Sequence, residues 1–311
     1  MKIAVVGPGA LGCLVAASIR NRTKEDVWLI DKYKDRARKI SETGVKVEPV
    51  QGQGFTAKVN ITAAPEEAGV CDLVIICVKS YSTDEACRHV KDIVSADTSV
   101  LTLQNGIGNV QILNDHFGQE RVVAGVTNHG STLAGTGSVR HAGKGDTIIG
   151  KADGRLTLAL KDISNLLSKA GFETRISKDI DSVIWSKLVI SAGINALTAI
   201  TRLNNGMLVE FDGARELMRS AVGEAVKIVK RKRIKLAYDD PIQKVESVCR
   251  STAGNVSSML QDVLNKDRTE IDNINGAIVR HGKALGIATP ANDVLTSLIR
   301  AIESSYDKVV K

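Results

Sequence analysis

The feature that most constrains this chain is a short apolar strand that runs directly into a glycine-rich turn and then a helix. Residues 3–6 are apolar, residues 14–19 suit the first turns of a helix, and between them lies Gly7-Pro8-Gly9-Ala10-Leu11-Gly12. In this G-x-G-x-x-G pattern, Gly7 permits the tight turn, Gly9 lets the backbone approach a pyrophosphate, and Gly12 lets the helix pack closely. The N–H groups at the helix N-terminus favour phosphate. The pattern predicts a dinucleotide-binding site over residues 7–12.

An acidic residue follows the second predicted strand, residues 27–30. It is Asp31, about 20 residues beyond the glycines, where a carboxylate would accept a hydrogen bond from the ribose 2′-hydroxyl of NAD. A negative charge there would repel the 2′-phosphate of NADP, so Asp31 favours NADH, although Lys32 and Lys34 lie close enough to soften the repulsion. The alternative is a tight turn without a ligand, which the strand, the helix and Asp31 together disfavour.

Short β-rich runs alternate with helical stretches through the first half of the chain, and the strand pattern stops near Ile176. This alternation is typical of an α/β fold with a parallel, doubly wound sheet of the Rossmann type. Two runs, 45–48 and 55–59, flank a glycine-rich turn, which predicts a hairpin. We therefore predict a Rossmann domain over residues 1–178 and an all-helical domain over residues 179–311. The predicted helices of the second domain span residues 182–200, 214–234, 247–264, 269–285 and 292–308.

The chain of 311 residues carries a formal net charge of +7, much of it in the run from Lys227 to Lys235. A basic run can indicate nucleic-acid binding, but this one ends a predicted helix, where cations complement the helix dipole. Aromatic residues make up 3% of the chain, which argues against a platform that stacks single-stranded bases. We expect no nucleic-acid partner; positive charge would instead attract anionic substrates and cofactors.

The five cysteines are odd in number and form no C-x-x-C pair, which argues against a disulfide framework and a zinc site. We expect reduced cysteines and no metal. The apolar stretch at the N-terminus is too short for a signal peptide, and no run approaches the length of a membrane span. These observations favour a cytoplasmic protein with no membrane partner, and a homodimer is compatible with them.

Two polar residues follow predicted strands at the edge where a parallel sheet binds ligands. Lys79 comes directly after the apolar run 72–78, and Asn105 follows the strand over residues 99–103. Ligands of open α/β sheets bind outside the carboxyl ends of the strands. One polar residue there is usually part of a turn, but a cation and an amide on the same edge favour a cofactor site.

In the helical half, Lys187, Ser191 and Asn195 stand out in a segment, residues 183–197, that is otherwise almost entirely apolar or small. A step of four residues rotates by only about 40° around a helix, so the three side chains share one face. The alternative is the solvated face of a surface helix, but such a face normally carries several charges. One cation with two small neutral polar groups favours a stripe that lines a cleft.

Two further polar residues have ordinary interpretations on pattern alone. They lie in segments that contain hydroxyls and carboxylates, residues 255–262 and 267–272. Ser257 suits a helix N-cap, and Glu270 suits an acid in the first turn of a helix, where the dipole favours negative charge.

Seven segments, in order along nearly the whole chain, resemble the ketopantoate reductase (2-dehydropantoate 2-reductase) family. The resemblance implies a Rossmann domain and a helical domain with the active site in the cleft between them. It also implies reduction of a small 2-keto acid, 2-dehydropantoate, to (R)-pantoate with NADP or NAD, on the route to pantothenate and coenzyme A. The segments are Gly7-Pro8-Gly9-Ala10-Leu11-Gly12, Cys77-Val78-Lys79, Leu103-Gln104-Asn105-Gly106, Trp185-Ser186-Lys187-Leu188, Ile194-Asn195-Ala196-Leu197-Thr198-Ala199, Ser257-Ser258-Met259-Leu260-Gln261-Asp262 and Arg268-Thr269-Glu270-Ile271-Asp272-Asn273-Ile274-Asn275-Gly276.

The resemblance implies a role for individual residues as well. Lys187 resembles the family's catalytic proton donor, and Glu270 resembles an acid that interacts with both the cofactor and that lysine. Asn105 falls where the family touches cofactor and substrate, and Lys79 falls near the cofactor. The positions that bind substrate in the family correspond to Asn195, Asn205 and Ser258.

Two positions depart from the family pattern. One helical turn after the lysine, where the family usually has a substrate-binding asparagine, this chain has Ser191, which still offers a donor and an acceptor but reaches less far. Many relatives that prefer NADPH have a basic residue where this chain has Asp31. Ketopantoate reduction is the leading hypothesis. The alternatives are a reductase of another small 2-keto acid, with Ser191 marking a changed pocket, and a nicotinamide-sensing regulator without catalysis.

Overall fold

Strands and helices alternate up to residue 176 in the computed structural model, which describes residues 1–49 and 51–308. Contacts between residues divide the chain into two units. The first contains residues 1–104 and 108–180, and the second contains residues 105–107 and those from 181 onward. Three residues of the N-terminal half are therefore grouped with the helical half.

The first unit contains an eight-stranded sheet, of order β12-β11-β8-β7-β6-β1-β2-β5, and a four-stranded sheet, of order β4-β3-β10-β9. Helices connect the strands of the large sheet, which confirms the predicted α/β, doubly wound fold. The strands are β1 (Lys2–Val6), β2 (Asp26–Ile30), β3 (Val45–Pro49), β4 (Phe55–Ala57), β5 (Asn60–Thr62), β6 (Leu73–Ile76), β7 (Ser99–Thr102), β8 (Val122–Thr127), β9 (Gly130–Gly135), β10 (Ser138–Gly143), β11 (Thr147–Gly150) and β12 (Thr174–Ile176). The helices are α1 (Ala10–Arg22), α2 (Lys34–Thr43), α3 (Thr83–His89), α4 (Asn109–Phe117) and α5 (Leu158–Lys169).

The large sheet departs from the predicted parallel arrangement at one edge. β11 pairs antiparallel with β8, whereas the other neighbouring strands of this sheet are parallel. Between β8 and β11 the chain forms the antiparallel pair β9–β10 and returns without a helical crossover. A parallel return would need a crossover connection, usually a helix, and these residues instead form two strands of the small sheet. The predicted hairpin is confirmed, since β3 and β4 pair antiparallel.

The continuous apolar character of β1 reflects burial on both faces of the sheet. Ile3 and Val5 pack into the cluster that contains the buried side of α1, and Ala4 and Val6 pack into a second cluster on the opposite face. Successive strand side chains point to opposite faces, so a strand covered on both sides has no polar position. This packing fixes where β1 ends and α1 begins, and therefore the turn between them.

The second unit is helical, as predicted, and the part of it that the structure describes contains no strand. Short 3-10 helices cover residues 205–209 and 271–273. The α-helices are α6 (Ile180–Thr201), α7 (Asp212–Arg231), α8 (Pro241–Ser251), α9 (Ser258–Leu264), α10 (Asn275–Leu285) and α11 (Pro290–Ser304).

The helix predicted over residues 247–264 is wrong, because the chain is not helical between α8 and α9. Residues 252–257 form a break, and α9 begins anew after Ser257. The Ser257 hydroxyl accepts a hydrogen bond from Leu260 N at 3.1 Å, which is the N-cap predicted for this residue. The helix predicted from residue 269 likewise begins later, at Asn275.

By length and composition, α6 is the one helix among the described residues that could span a membrane, contrary to the prediction that no run approaches that length. Of its most apolar stretch, 61% is buried within the protein, and Val189 and Ala192 are fully buried. A helix that is apolar on nearly every side can be the core helix of a large protein. Packing against the other helices therefore accounts for the hydropathy of α6.

Candidate active site

Two of the three glycines in the β1–α1 turn are required by the packing of the chain itself. Gly7 has φ +98°, and a Cβ there would lie 2.7 Å from Val78 Cγ1. A Cβ on Gly12 would lie 2.0 Å from the carbonyl oxygen of Gly7. Only glycine fits both positions, because real Cβ atoms do not come this close and φ is positive at the first.

Gly9 differs, because the protein leaves open space where its side chain would be. Its backbone is extended (φ −76°, ψ −174°), and a Cβ would meet nothing within 4 Å. Gly9 is the N-cap of α1, makes no side-chain cap, and no acid lies in the first helical turn. Pro8 is buried, while Ala10 and Leu11 are half-buried. The turn thus offers unoccluded backbone and helix N–H groups, which fits a pyrophosphate.

Asp31 lies directly after β2, as predicted, but its carboxylate is already paired. Arg36 donates from Nε and Nη2 to the two carboxylate oxygens, each at 2.5 Å, and Tyr33 N donates to Oδ1 at 3.1 Å. The Asp31 side chain is fully buried, whereas that of Arg36 is 38% exposed. The charge that neutralises Asp31 therefore comes from Arg36.

Arg36 was not among the predicted site residues, and Lys32 and Lys34 were expected to soften the repulsion between Asp31 and a 2′-phosphate. Lys32 instead forms an exposed ion pair with Glu85 at 3.1 Å. One signal was available: Arg36 lies in the first turn of α2, where the helix dipole disfavours a cation. A cation at this unfavourable position indicates that a nearby carboxylate compensates its charge.

Lys79 follows β6 on a loop that the neighbouring strand holds in place. Gln104, just beyond β7, donates from Nε2 to the carbonyl oxygen of Val78 at 2.9 Å and to the Thr83 hydroxyl at 2.8 Å. The Lys79 carbonyl accepts a bond from Ser82 N at 2.8 Å. The backbone that carries this half-buried lysine is therefore braced on both sides.

Lys187, Ser191 and Asn195 all lie on α6, whose register places them on one face. Each is half-buried, while Leu188, Val189, Ala192 and Ala196 are buried. The stripe therefore lies at the margin of the helical core rather than on a fully solvated face.

Burial lowers the pKa of Lys187 to about 8, and the negative charge of Glu270 acts in the opposite direction. Glu270 is itself only 5% exposed. Desolvation disfavours the charged form of a lysine, and a nearby carboxylate favours it. A lysine in this balance can be protonated near neutral pH and can also release its proton, which is the property of a general acid.

Residues 105–107 are attached to the turn that follows Glu270. Ile107 N donates to the carbonyl of Asn273 at 3.0 Å, and Asn273 Nδ2 donates to the carbonyl of Ile107 at 3.2 Å. Gly106 has φ +78°, and a Cβ there would lie 2.6 Å from the Asn273 carbonyl oxygen. The sequence predicted Asn105 only at a strand end; the fold brings its segment to the turn adjoining Glu270.

The predicted substrate residues Ser258 and Asn205 have different surroundings. Ser258 is the exposed first residue of α9. The hydroxyl of the preceding Ser257 lies 2.7 Å from the hydroxyl of Thr198, which follows Asn195 by three positions on α6. This contact joins the start of α9 to the stripe. Asn205 is 8% exposed, and its Nδ2 donates to the Thr252 hydroxyl in the α8–α9 break at 2.9 Å. Its buried Oδ1 has no hydrogen-bond partner among the described residues.

Comparison with known proteins places most of this chain within two family models. One, described as "Ketopantoate reductase PanE/ApbA", matches residues 3–154, and its C-terminal counterpart matches residues 179–303. A 2-dehydropantoate 2-reductase of Pyrococcus horikoshii is 35% identical over 306 residues, 98% of each chain.

Solved structures are also similar to this chain over nearly its whole length. A PanE/ApbA family ketopantoate reductase from Ralstonia eutropha aligns with a TM-score of 0.90 at 33% identity, over 99% of this chain and all of that one. D-mandelate dehydrogenase, in a ternary structure with NADH and anilino(oxo)acetate, aligns with a TM-score of 0.91 at 30% identity, over 99% of both chains. The fold described above is therefore shared along its whole length.

Proposed function

Because the chain belongs to the ketopantoate reductase family, we propose that it is an oxidoreductase that reduces the 2-keto group of 2-dehydropantoate to give (R)-pantoate. The product serves pantothenate and coenzyme A biosynthesis, and we place the protein in the cytoplasm. The observation that carries the proposal is the half-buried Lys187 on the polar face of α6. Burial lowers its pKa to about 8, while the negative charge of Glu270 acts to raise it. The test is to incubate purified protein with 2-dehydropantoate and NADH or NADPH and to follow nicotinamide oxidation.

The two halves of the chain have separate tasks in this proposal. Bound NAD(P)H would supply the hydride, and the turn at Gly7–Gly12 together with Lys79 would hold it, within residues 1–178. Lys187 donates the proton from Nζ to the carbonyl oxygen as negative charge develops there. Glu270 keeps that ammonium charged, and we assign Asn105 contacts with both cofactor and substrate. No metal takes part in this scheme.

The substrate of the proposed reaction carries a carboxylate and a hydroxyl, which suit amide and hydroxyl side chains. We assign its binding to Ser191, Asn195, Asn205 and Ser258. The buried, unpartnered Oδ1 of Asn205 supports this assignment, because an unsatisfied buried acceptor is costly and is usually explained by a missing partner.

A second candidate function is reduction of a different 2-keto acid. The similarity to D-mandelate dehydrogenase favours it, with a TM-score of 0.91 at 30% identity against 0.90 at 33% for the ketopantoate reductase from Ralstonia eutropha. Ser191 marks a pocket that departs from the family. Assaying 2-dehydropantoate beside branched 2-keto acids and the 2-keto acid that corresponds to mandelate distinguishes the two. The substrate with the highest kcat/KM decides.

For the cofactor, we propose that NADH is used at least as well as NADPH. The position of Asp31 at the end of β2 supports this, since an acid there accepts hydrogen bonds from the ribose diol of NAD. Its pairing with Arg36 removes the net charge that would repel a 2′-phosphate, so NADPH can also bind. Comparing kcat/KM for the two nucleotides tests it, and a strong preference for NADPH would contradict it.

The first prediction concerns pH. Lys187 must be protonated to act as the acid, so kcat/KM for reduction should be level at neutral pH and fall by up to about tenfold per unit above its pKa, which is about 8. In Glu270→Gln the carboxylate that raises this pKa is absent, so the fall should begin at lower pH. A profile that stays level up to the pKa of an ordinary lysine would contradict the assignment.

The second prediction concerns Ser191. Ser191→Ala should raise KM and change kcat little, because one lost hydrogen bond is worth ~0.5–1.5 kcal/mol. Ser191→Asn restores the residue type usual in the family and should be tolerated. Steady-state kinetics on each accepted keto acid measure both effects. If Ser191→Ala leaves KM and kcat unchanged with all of them, the residue serves only helix packing.

A further inference from the structure

The two partners of the ion pair at the end of β2 differ in solvent exposure, and this difference matters for the cofactor. Asp31 is fully buried and uses both carboxylate oxygens on Arg36, whereas the Arg36 side chain is 38% exposed. The carboxylate therefore holds the guanidinium in place from inside the protein, and the guanidinium is the part of the pair that solvent or a ligand can reach.

Arg36 is also held from a second direction. Its Cζ lies 5.0 Å from the centroid of the Tyr33 ring, which is within the range of a cation–π contact. Tyr33 in turn donates its backbone N–H to Asp31. The guanidinium is thus fixed between a carboxylate and an aromatic ring, which lowers the conformational cost of binding a ligand with it.

The donors of Arg36 are not exhausted by this pair. A guanidinium has five N–H donors, and the bonds to Asp31 use Nε and one of the terminal nitrogens, Nη2. The hydrogen bonds to Asp31 raise the pKa of Arg36 above its ordinary value, so it is always charged. The donors that remain suit a phosphate, which arginine recognises through its planar fork.

We propose that Arg36 is the residue that admits NADPH to this site, by presenting a guanidinium to the 2′-phosphate of the adenosine ribose. This inference rests on the proposed nicotinamide-dependent function and deepens it. Asp31 by itself would repel that phosphate, but the pair has no net charge, and Arg36 is its exposed member. Without Arg36, the carboxylate of Asp31 would be left to accept bonds from the unphosphorylated ribose of NADH.

Other cations near the turn are less suited to this task. Lys32 is bridged to Glu85 at 3.1 Å, and Lys34 is exposed at the start of α2. Arg38, on the same helix, is 75% exposed and paired with Asp35 at 3.4 Å. Arg38 makes no hydrogen bond to Asp31, so it provides a matched control of the same residue type and charge.

The experiment measures nucleotide binding without a keto acid. NADH and NADPH are titrated by nucleotide fluorescence into wild type, Arg36→Gln and Arg38→Gln, and adenosine 2′,5′-bisphosphate is titrated by calorimetry. We expect wild type to bind both nucleotides. Arg36→Gln should weaken NADPH and the bisphosphate at least about tenfold, because a charge-assisted phosphate contact is lost, while NADH should bind as well or better. Arg38→Gln should leave the ratio of the two dissociation constants unchanged.

The ratio of the NADPH and NADH dissociation constants distinguishes recognition of the 2′-phosphate by Arg36 from a purely structural role of this residue. If Arg36 merely braces the loop after β2, Arg36→Gln will weaken NADH and NADPH alike, and that result overturns the inference. The inference is also overturned if the ratio of the NADPH and NADH dissociation constants is the same in Arg36→Gln as in the Arg38→Gln control. Normal binding of both nucleotides by wild type with no turnover of any keto acid would instead overturn the proposed function and leave this inference standing.

Discussion

Lys187→Ala is expected to lower kcat at least ~10²-fold, the low end of the contribution of a positioned general acid, while NADH and NADPH bind with unchanged affinity. Hydride addition to a ketone leaves negative charge on oxygen, and the ammonium both stabilises and protonates that oxygen. The dinucleotide turn at residues 7–12 belongs to the other unit of the chain, so its affinity should not depend on this side chain. Steady-state kinetics and fluorescence titration measure the two quantities separately.

Two further variants make this result specific. Lys187→Met keeps much of the side-chain volume and removes the amine, so it should lose turnover as Lys187→Ala does without opening a cavity in the margin of the core. Lys227→Ala removes an exposed lysine of the same unit, on α7, and should leave kcat unchanged. Turnover of Lys187→Ala within a few-fold of wild type would move the proton donor to another residue.

The parts of the fold that could be predicted from the sequence are those fixed by neighbours in the chain. The β1–α1 turn is such a part: an apolar strand buried on both faces, three spaced glycines and a helix start are all local signals. The N-cap at Ser257 is another, since its bond to Leu260 spans three residues. Local signals also placed Lys187, Ser191 and Asn195 on one helix.

The parts that could not be predicted depend on residues far apart in sequence. Ile107 bonds to Asn273, more than a hundred and sixty residues away, and nothing near it in the sequence indicates that partner. The direction of β11 depends on where the β9–β10 pair returns the chain, and the largely exposed β9 lacks the apolar alternation that identifies a strand. The Arg36–Asp31 pair is different, because it spans only five residues and the cation in the first turn of α2 was a local signal for it.

Gly9→Ala is expected to fold normally and to bind NADH and NADPH at least about tenfold more weakly, a change of ~1.4 kcal/mol or more. The backbone at Gly9 has φ −76°, which alanine adopts without strain, and a Cβ would meet nothing of the protein within 4 Å. The methyl group would instead occupy space that the pyrophosphate needs for its approach to the backbone. Thermal unfolding and nucleotide titration together test this.

Gly12→Ala provides the matched contrast, because the same methyl group is added three residues along the same turn. There the Cβ would lie 2.0 Å from the carbonyl oxygen of Gly7 and 3.3 Å from Cys77 Cβ. A backbone oxygen cannot rotate away, so α1 must shift from β1, at a cost of about 1–3 kcal/mol or more in the free energy of unfolding. Gly12→Ala should therefore unfold at a lower temperature, whereas Gly9→Ala should not. If Gly9→Ala binds both nucleotides as wild type does, the open space at Gly9 is not where the dinucleotide lies.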